Sequence, residues 1–212
     1  MPVYISYSYF RRESKSDLNK FENKNQLLLE GGINMQEEKV ILSERDMART
    51  LDRLASEITE RRGDDEKLAI IGIQRRGADL AQRLKDILDS RLDRKIPLGK
   101  LDINLYRDDW TNLSRQPSIN CTEIPFDIES GSIILVDDVL FSGRTVRAAL
   151  EAVLDFGRPR RVELLVLVDR GHRELPIRAD YVGKEVRTFE DQHVNVLVSE
   201  RDEEDKVVLI KS

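Results

Sequence analysis

One cysteine, two histidines and one tryptophan are all that 212 residues contain of those side chains. The lone Cys121 excludes an internal disulfide and fits a reducing cytoplasm, where such bonds are rare. Two histidines and a cysteine are too few for the usual ligand set of a zinc site. Long apolar runs are missing as well: 133–136 and 164–168 are typical, far short of the roughly 20 residues that cross a membrane. The amino-terminal segment lacks the continuous apolar core of a secretory signal. No excess of positive charge exists either; the net charge is −5, so nucleic-acid binding would need a local basic patch. Walker-type and dinucleotide-binding glycine fingerprints are absent, which disfavours a nucleotide kinase or a dehydrogenase.

What is present suits a globular domain with a heavily charged surface: 40% hydrophobic and 35% charged residues. The length allows one sizeable domain with a tail. Residues 1–34 differ in texture from the rest, with Tyr4, Tyr7 and Tyr9, a polar middle and Gly31-Gly32. Their basic residues (Arg11, Arg12, Lys15, Lys20, Lys24) are balanced by Glu13, Asp17, Glu22 and Glu30, so they form no basic arm. They read as a mobile extension or the product of an upstream start codon, the alternative being a short arm at an oligomer interface. The domain proper is expected over 35–212.

From Met35 on, strands and helices alternate. Ser43 is placed to cap a helix whose first turn holds Glu44 and Asp46. Met47, Leu51, Leu54, Ala55 and Ile58 share one face of it, and Gly63 stops it. Leu68–Ile73 is a short isoleucine-rich run that predicts a buried strand. Gly77 opens a second amphipathic helix through Leu80, Leu84, Ile87 and Leu88. Alternation of Leu101, Ile103 and Leu105 with polar neighbours predicts a half-exposed strand. Residues 107–120 are polar and irregular, a loop length uncommon inside a compact domain unless the loop is a functional lid or disordered. Further strands are expected at 133–136, 162–168, 180–182, 194–198 and 207–210, with a helix over 144–156. The pattern predicts an α/β fold, a mostly parallel twisted sheet flanked by helices.

In such a sheet, ligands sit at the carboxyl ends of strands. Asp137 and Asp138 follow four apolar strand residues, and Ser142, Gly143 and Thr145 lead into a helix. Small residues allow an anion-binding turn, to which the helix start adds partial positive charge. Adjacent carboxylates repel phosphate but accept hydrogen bonds from sugar hydroxyls. Acids beside a phosphate cradle therefore suit a phosphorylated sugar. A plain strand-to-helix turn with solvent-facing acids is the bland alternative. A phosphorelay receiver also pairs acids, but near its first strand, whereas this pair follows two complete strand–helix units.

The segment 133–145, IILVDDVLFSGRT, resembles the phosphoribosyl pyrophosphate (PRPP) motif of type I phosphoribosyltransferases. With LDINLYRDD (101–109), GRTVRAALEAVLDFGRP (143–159) and VLVDRGHRELPIRADYVGK (166–184), the chain is similar to the PyrR family of pyrimidine-operon regulators and uracil phosphoribosyltransferases. That resemblance covers essentially residues 35–212. It implies that Asp137 and Asp138 contact the ribose hydroxyls, while Val139, Leu140, Phe141, Ser142, Gly143, Arg144 and Thr145 hold the 5′-phosphate. It implies a pyrophosphate loop at Arg75, Arg76 and Gly77, and a lid from Arg107 to about Pro117. A small hood would contact uracil near Arg170 and Val194. The implied reaction makes UMP and pyrophosphate, with Mg²⁺ held through the substrate rather than by a dedicated ligand set. The implied assembly is a dimer or tetramer, with the apolar face of the first helix compatible with it.

Five potential donors also crowd 170–184, namely Arg170, His172, Arg173, Arg178 and Lys184. Such a patch could neutralise several phosphates in an acidic protein. By resemblance, Arg61, His172, Arg173, Arg178 and Lys184 would bind leader RNA. Asp52, Ser56 and Gln74 depart from that surface, and an aspartate facing phosphates is unfavourable. A catalytic or subunit-interface role for the patch is the alternative.

Overall fold

The computed structural model of the chain describes residues 38–108 and 121–211, all within one compact unit, Glu37–Ser212. The expected extension over 1–34, and the expected lid beyond Asp108, lie outside these residues. Chain order begins with β1 (Glu38–Ser43), and Ser43 caps α1 (Glu44–Arg62). The cap is reciprocal: the Ser43 hydroxyl accepts from the Asp46 amide at 3.3 Å, and the Asp46 carboxylate accepts from the Ser43 amide at 3.2 Å. Two free N–H groups are satisfied at once, so the helix starts where the sequence predicts.

Next come β2 (Leu68–Ile73), α2 (Arg76–Leu92), β3 (Leu98–Leu101), β4 (Ser132–Leu140), α3 (Arg144–Leu154), β5 (Arg161–Asp169) and β6 (Tyr181–Glu185). Five of these strands form a wholly parallel sheet in the order β3-β2-β4-β5-β6. Side chains alternate between its faces. Ile70, Ile134, Val136, Leu165 and Leu167 pack with Met47, Leu51, Leu54 and Ile58 of α1 and Leu80, Leu84 and Leu88 of α2. Ile71, Ile133, Leu135 and Val166 meet Val146, Ala149 and Val153 of α3 on the other side. Covering both faces is why these strands read as unbroken apolar runs. It also consumes the apolar stripe of α1, which is therefore not available to a partner subunit; that expectation is corrected.

The remaining elements are β7 (Gln192–Leu197), a one-turn α4 (Ser199–Asp202) and β8 (Lys206–Lys211). A separate antiparallel sheet, β1-β8-β7, forms the hood. Two elements differ from the sequence reading. Only Leu98–Leu101 pairs with β2, after which the Asp102 carboxylate accepts from the Asn104 amide at 2.8 Å. That local bond turns the chain into a short 3₁₀ turn, Asn104–Tyr106, instead of prolonging the strand. In addition, β4 runs on through both acids to Leu140, because β5 pairs with it as far as Asp169.

A polar knot supports the sheet's other end. The carboxylate of Glu163 is buried and accepts from Arg62 Nε at 2.8 Å, from Arg161 at 3.3 Å and from the Tyr181 hydroxyl at 3.2 Å. Arg62, ahead of the opposing cost of burial, holds the Glu163 carboxyl below its ordinary range. Arg62→Met removes the main partner of this buried charge and should cost about 3 kcal/mol at neutral pH. The effect is read as a fall in Tm of roughly 6–12 °C. A depressed acid adds stability above its unfolded pKa and loses it as pH falls through the folded value. The deficit of Arg62→Met should therefore shrink as pH falls through the acid range and vanish only below the depressed folded value of wild-type Glu163.

Candidate active site

The carboxyl ends of β2 and β4 meet around a cavity of about 260 Å³. Its walls bring together Arg75, Arg76, Arg107, Asp137, Asp138, Val139 and Thr145, residues separated by up to 70 positions in sequence. Ile73, Gln74, Ile103 and Asn104 complete it. Asn104 was missed because the alternation of 101–105 placed it on a strand. Only the 3₁₀ turn delivers its amide to this wall.

Asp137 is buried and Asp138 half-buried. The Asp138 amide donates to the Asp137 carboxylate at 3.0 Å, and the Val139 amide to that of Asp138 at 2.7 Å. Burial, then the neighbouring Asp138 charge, pushes the Asp137 carboxyl well above its usual range. Burial also raises Asp138, against the lowering pull of the Val139 amide and the Arg76 charge. Two carboxylates so placed need hydroxyl donors or a cation to carry both charges, which is the chemistry of a ribose with a bound metal. Hard carboxylate and amide oxygens around one cavity suit Mg²⁺, which keeps few protein ligands and shares the rest with substrate oxygens and water. No cluster of three or more acidic, histidine or cysteine ligands occurs among the described residues.

Gly77, at the start of α2, shows why the 75–77 turn sits where it does. A Cβ there would lie 2.6 Å from the Val136 carbonyl oxygen and 3.1 Å from the Asp137 Cα. Only glycine lets α2 start directly against β4. The preceding Gln74–Arg75 peptide is cis.

Beyond β4 the chain turns through Phe141, Ser142 and Gly143, the last in the left-handed region at φ +93°, into α3. The Ser142 hydroxyl accepts from the Arg144 amide at 3.3 Å. The segment 170–177 wraps this turn: the Glu174 and Leu175 amides donate to the Ser142 carbonyl at 3.0 and 3.1 Å. Arg173 is the stitch, donating to the carbonyls of Phe141 at 2.7 Å, Gly171 at 3.0 Å and Ile177 at 3.1 Å, and to the Asp169 carboxylate. Its guanidinium is thus committed inward rather than presented to a phosphate backbone. Arg144 likewise engages Glu174, at 2.6 Å, and Asp108.

Arg170 and Val194 do not line the cavity. Arg170 is buried, its guanidinium 4.1 Å over the Phe141 ring, and it reaches the hood through the Gln192 carbonyl at 2.7 Å. Val194 pairs with Leu209 inside the hood and packs against the core. His172, with φ +57°, places its Nε2 2.7 Å from the Thr188 carbonyl oxygen.

Of the rest of the basic patch, Lys184 lies beside α1 and Arg61 on it. Lys184 donates to the Ile41 carbonyl at 3.2 Å and shares a groove of about 460 Å³ with Arg49 and Arg53. Arg61 lies 5.0 Å over the Tyr181 ring and pairs with Glu57 at 2.6 Å, and Arg178 is exposed. Asp52 does not stand alone here. Arg91 of α2 pairs with it at 2.6 Å and also donates to the Ser56 hydroxyl. The two departures on α1 thus form one cluster with a cation that sequence reasoning had overlooked.

A model of the phosphoribosyl transferase domain matches residues 38–203 of this chain. The Bifunctional protein PyrR of Caldicellulosiruptor bescii is 51% identical over 175 residues, 82% of this chain and 96% of that protein. Its counterpart in Deinococcus radiodurans is 53% identical over 169 residues, covering 80% and 92%. Among solved structures, a hypoxanthine phosphoribosyltransferase of Trypanosoma cruzi superposes with a TM-score of 0.64 at 15% identity, covering 84% of this chain and 93% of that one. One from Staphylococcus aureus gives 0.58 at 20%, covering 82% and 92%. At such identities the structures speak for the fold alone.

Proposed function

Because the chain belongs to the PyrR family of phosphoribosyl transferase domain proteins, we propose that it joins uracil to the ribose of PRPP, giving UMP and pyrophosphate. The observation that carries this reading is the cavity that sets Asp137 and Asp138 opposite Arg75, Arg76 and Arg107. In the transfer, the bond from ribose C1 to pyrophosphate breaks, uracil N1 bonds to C1, and the N1 proton is lost. Charge builds on the leaving pyrophosphate and on an oxocarbenium-like ribose. The arginines face the first, and the carboxylates orient the second through its hydroxyls. Mg²⁺ brought with PRPP, held by Asp137 and Asp138, would supply further neutralisation of the leaving group. The turn 139–145 and the start of α3 would seat the 5′-phosphate. Arg107 would belong to a lid whose closure excludes water. Arg170 supports base recognition by fixing Phe141 and the hood strand β7.

A substrate screen tests this. Uracil with PRPP should yield UMP, while hypoxanthine and guanine should yield no more than a trace. Comparable turnover of a purine overturns the reading. We place the enzyme in the cytoplasm; no helix among the described residues is long and apolar enough to cross a membrane. Assembly as a dimer or tetramer is supported by exposed Leu105, Leu154 and Phe156, three large apolar side chains around the bonded pair Tyr106–Asp155.

Binding of pyrimidine-operon leader RNA is the second activity of this reading. The Lys184 groove supports it, and Arg91 offsets the charge of Asp52. Contacts would be made to single-stranded loop bases and phosphates. Lys184→Gln should weaken binding several-fold, lower the salt slope by about one and leave UMP formation unchanged. Arg91→Ala, which exposes Asp52 to phosphate, should weaken binding at least as much. Filter binding at moderate salt, with and without UMP, measures both. No binding by the wild-type protein would leave the transferase alone.

A further inference from the structure

One stripe of α2 is answered charge for charge by the hood. Arg76, Asp79 and Arg83 stand at spacings of three and four, so they share a helix face. Asp202 grips Arg76 through Nη2 at 3.0 Å and Nε at 3.2 Å. Arg201 pairs with Asp79. Arg83 meets Glu200 at 2.7 Å and Asp205 at 2.8 Å. The alternating signs admit a single register between the helix and the 199–205 segment. Asp202 is itself fixed, because its carboxylate accepts from the Val198 amide at 3.0 Å.

We propose that Asp202 is a positioning residue for the transferase reaction: by holding Nε and Nη2 of Arg76, it aims Nη1 into the cavity to receive the pyrophosphate of PRPP. Arg76 lines the cavity, while Asp202 does not touch it. Nη1 has no partner among the described residues. An arginine swings on four rotatable bonds, and ordering such a side chain costs on the order of 1–2 kcal/mol. The hood meets that cost before substrate arrives. The charged stripe thereby ties the antiparallel sheet to the pyrophosphate loop.

The inference rests on the PRPP-transferase reading, and its test separates the two. PRPP affinity with Mg²⁺ is measured by calorimetry, and UMP formation by steady-state kinetics, on the full chain. Asp202→Asn should raise the PRPP Kd and KM about tenfold with uracil KM unchanged. Asp202→Glu, which restores the carboxylate, should recover most of the loss. In an Arg76→Ala background, Asp202→Asn should add nothing. Arg83→Ala loosens the same stripe without touching Arg76; it should lower Tm and leave PRPP KM within about twofold. Wild-type PRPP affinity in Asp202→Asn overturns the proposal. So does a full further loss on top of Arg76→Ala, or an equal PRPP defect in Arg83→Ala, which would make the stripe merely structural. A wild-type chain that makes no UMP sinks the functional reading, and the calorimetric comparison still decides the role of Asp202.

Discussion

Replacing Asp137 and Asp138 together by asparagine should reduce UMP formation by about 10³-fold or more while the protein stays folded. The substitutions keep the size of both side chains while removing the charge and replacing one acceptor by a donor. An amide has one acceptor oxygen and a donor that would face the ribose hydroxyls, so orientation of the sugar is lost with the electrostatic support. The expected stability change has the opposite sign from that of most buried substitutions. Burial and mutual repulsion already push the Asp137 carboxyl upward, so its charge opposes folding at neutral pH. Removing both charges should therefore leave Tm unchanged or slightly higher. Steady-state kinetics with a thermal scan tests both halves. Unchanged turnover would sink the site assignment, and a collapse in Tm would give the pair a structural role instead.

Gly77→Ala should be the most damaging single methyl group near the site. The new carbon would sit 2.6 Å from the Val136 carbonyl oxygen and 3.4 Å from an Asp137 carboxylate oxygen. Both the carbonyl and the α2 backbone are pinned by regular hydrogen bonding, so the start of the helix must lift away from β4. Overpacking of this kind costs about 1–3 kcal/mol, or roughly 2–12 °C in Tm for a chain of this size. The same movement would carry Arg75 and Arg76 away from the acids, so PRPP KM should rise at least about tenfold. A thermal scan with a PRPP titration reads both. Wild-type values for each would show that α2 can shift freely.

Much of the fold was legible before any coordinates. Ser43 with Asp46 announced the start of α1, and the unbroken apolar runs at 68–73 and 133–136 announced strands covered on both sides. Other elements were not legible, for identifiable reasons. β1 has no pattern of its own, and its pairing partner, β8, lies more than 160 residues away. The strand expected through Leu105 fails at Asp102, whose side chain captures a nearby amide. Arg173 looks like a surface cation in sequence, but it is the stitch between two loops. Asp52 looks like a defect in a basic face, yet Arg91, 39 positions on, lies against it.

Local chemistry determined the elements of this protein, because caps, periodicity and small-residue turns depend on neighbours within about four residues. It also pointed to the type of ligand: adjacent acids and a Ser-Gly turn after a strand suit a phosphorylated sugar. The tertiary structure decided which residues line one cavity. The parallel sheet brings Arg75 and Arg76 to the cavity of Asp137, and Asp202, more than a hundred residues on, pairs with Arg76. Such pairings follow from which faces can be buried together, a property of the whole chain that no short window contains.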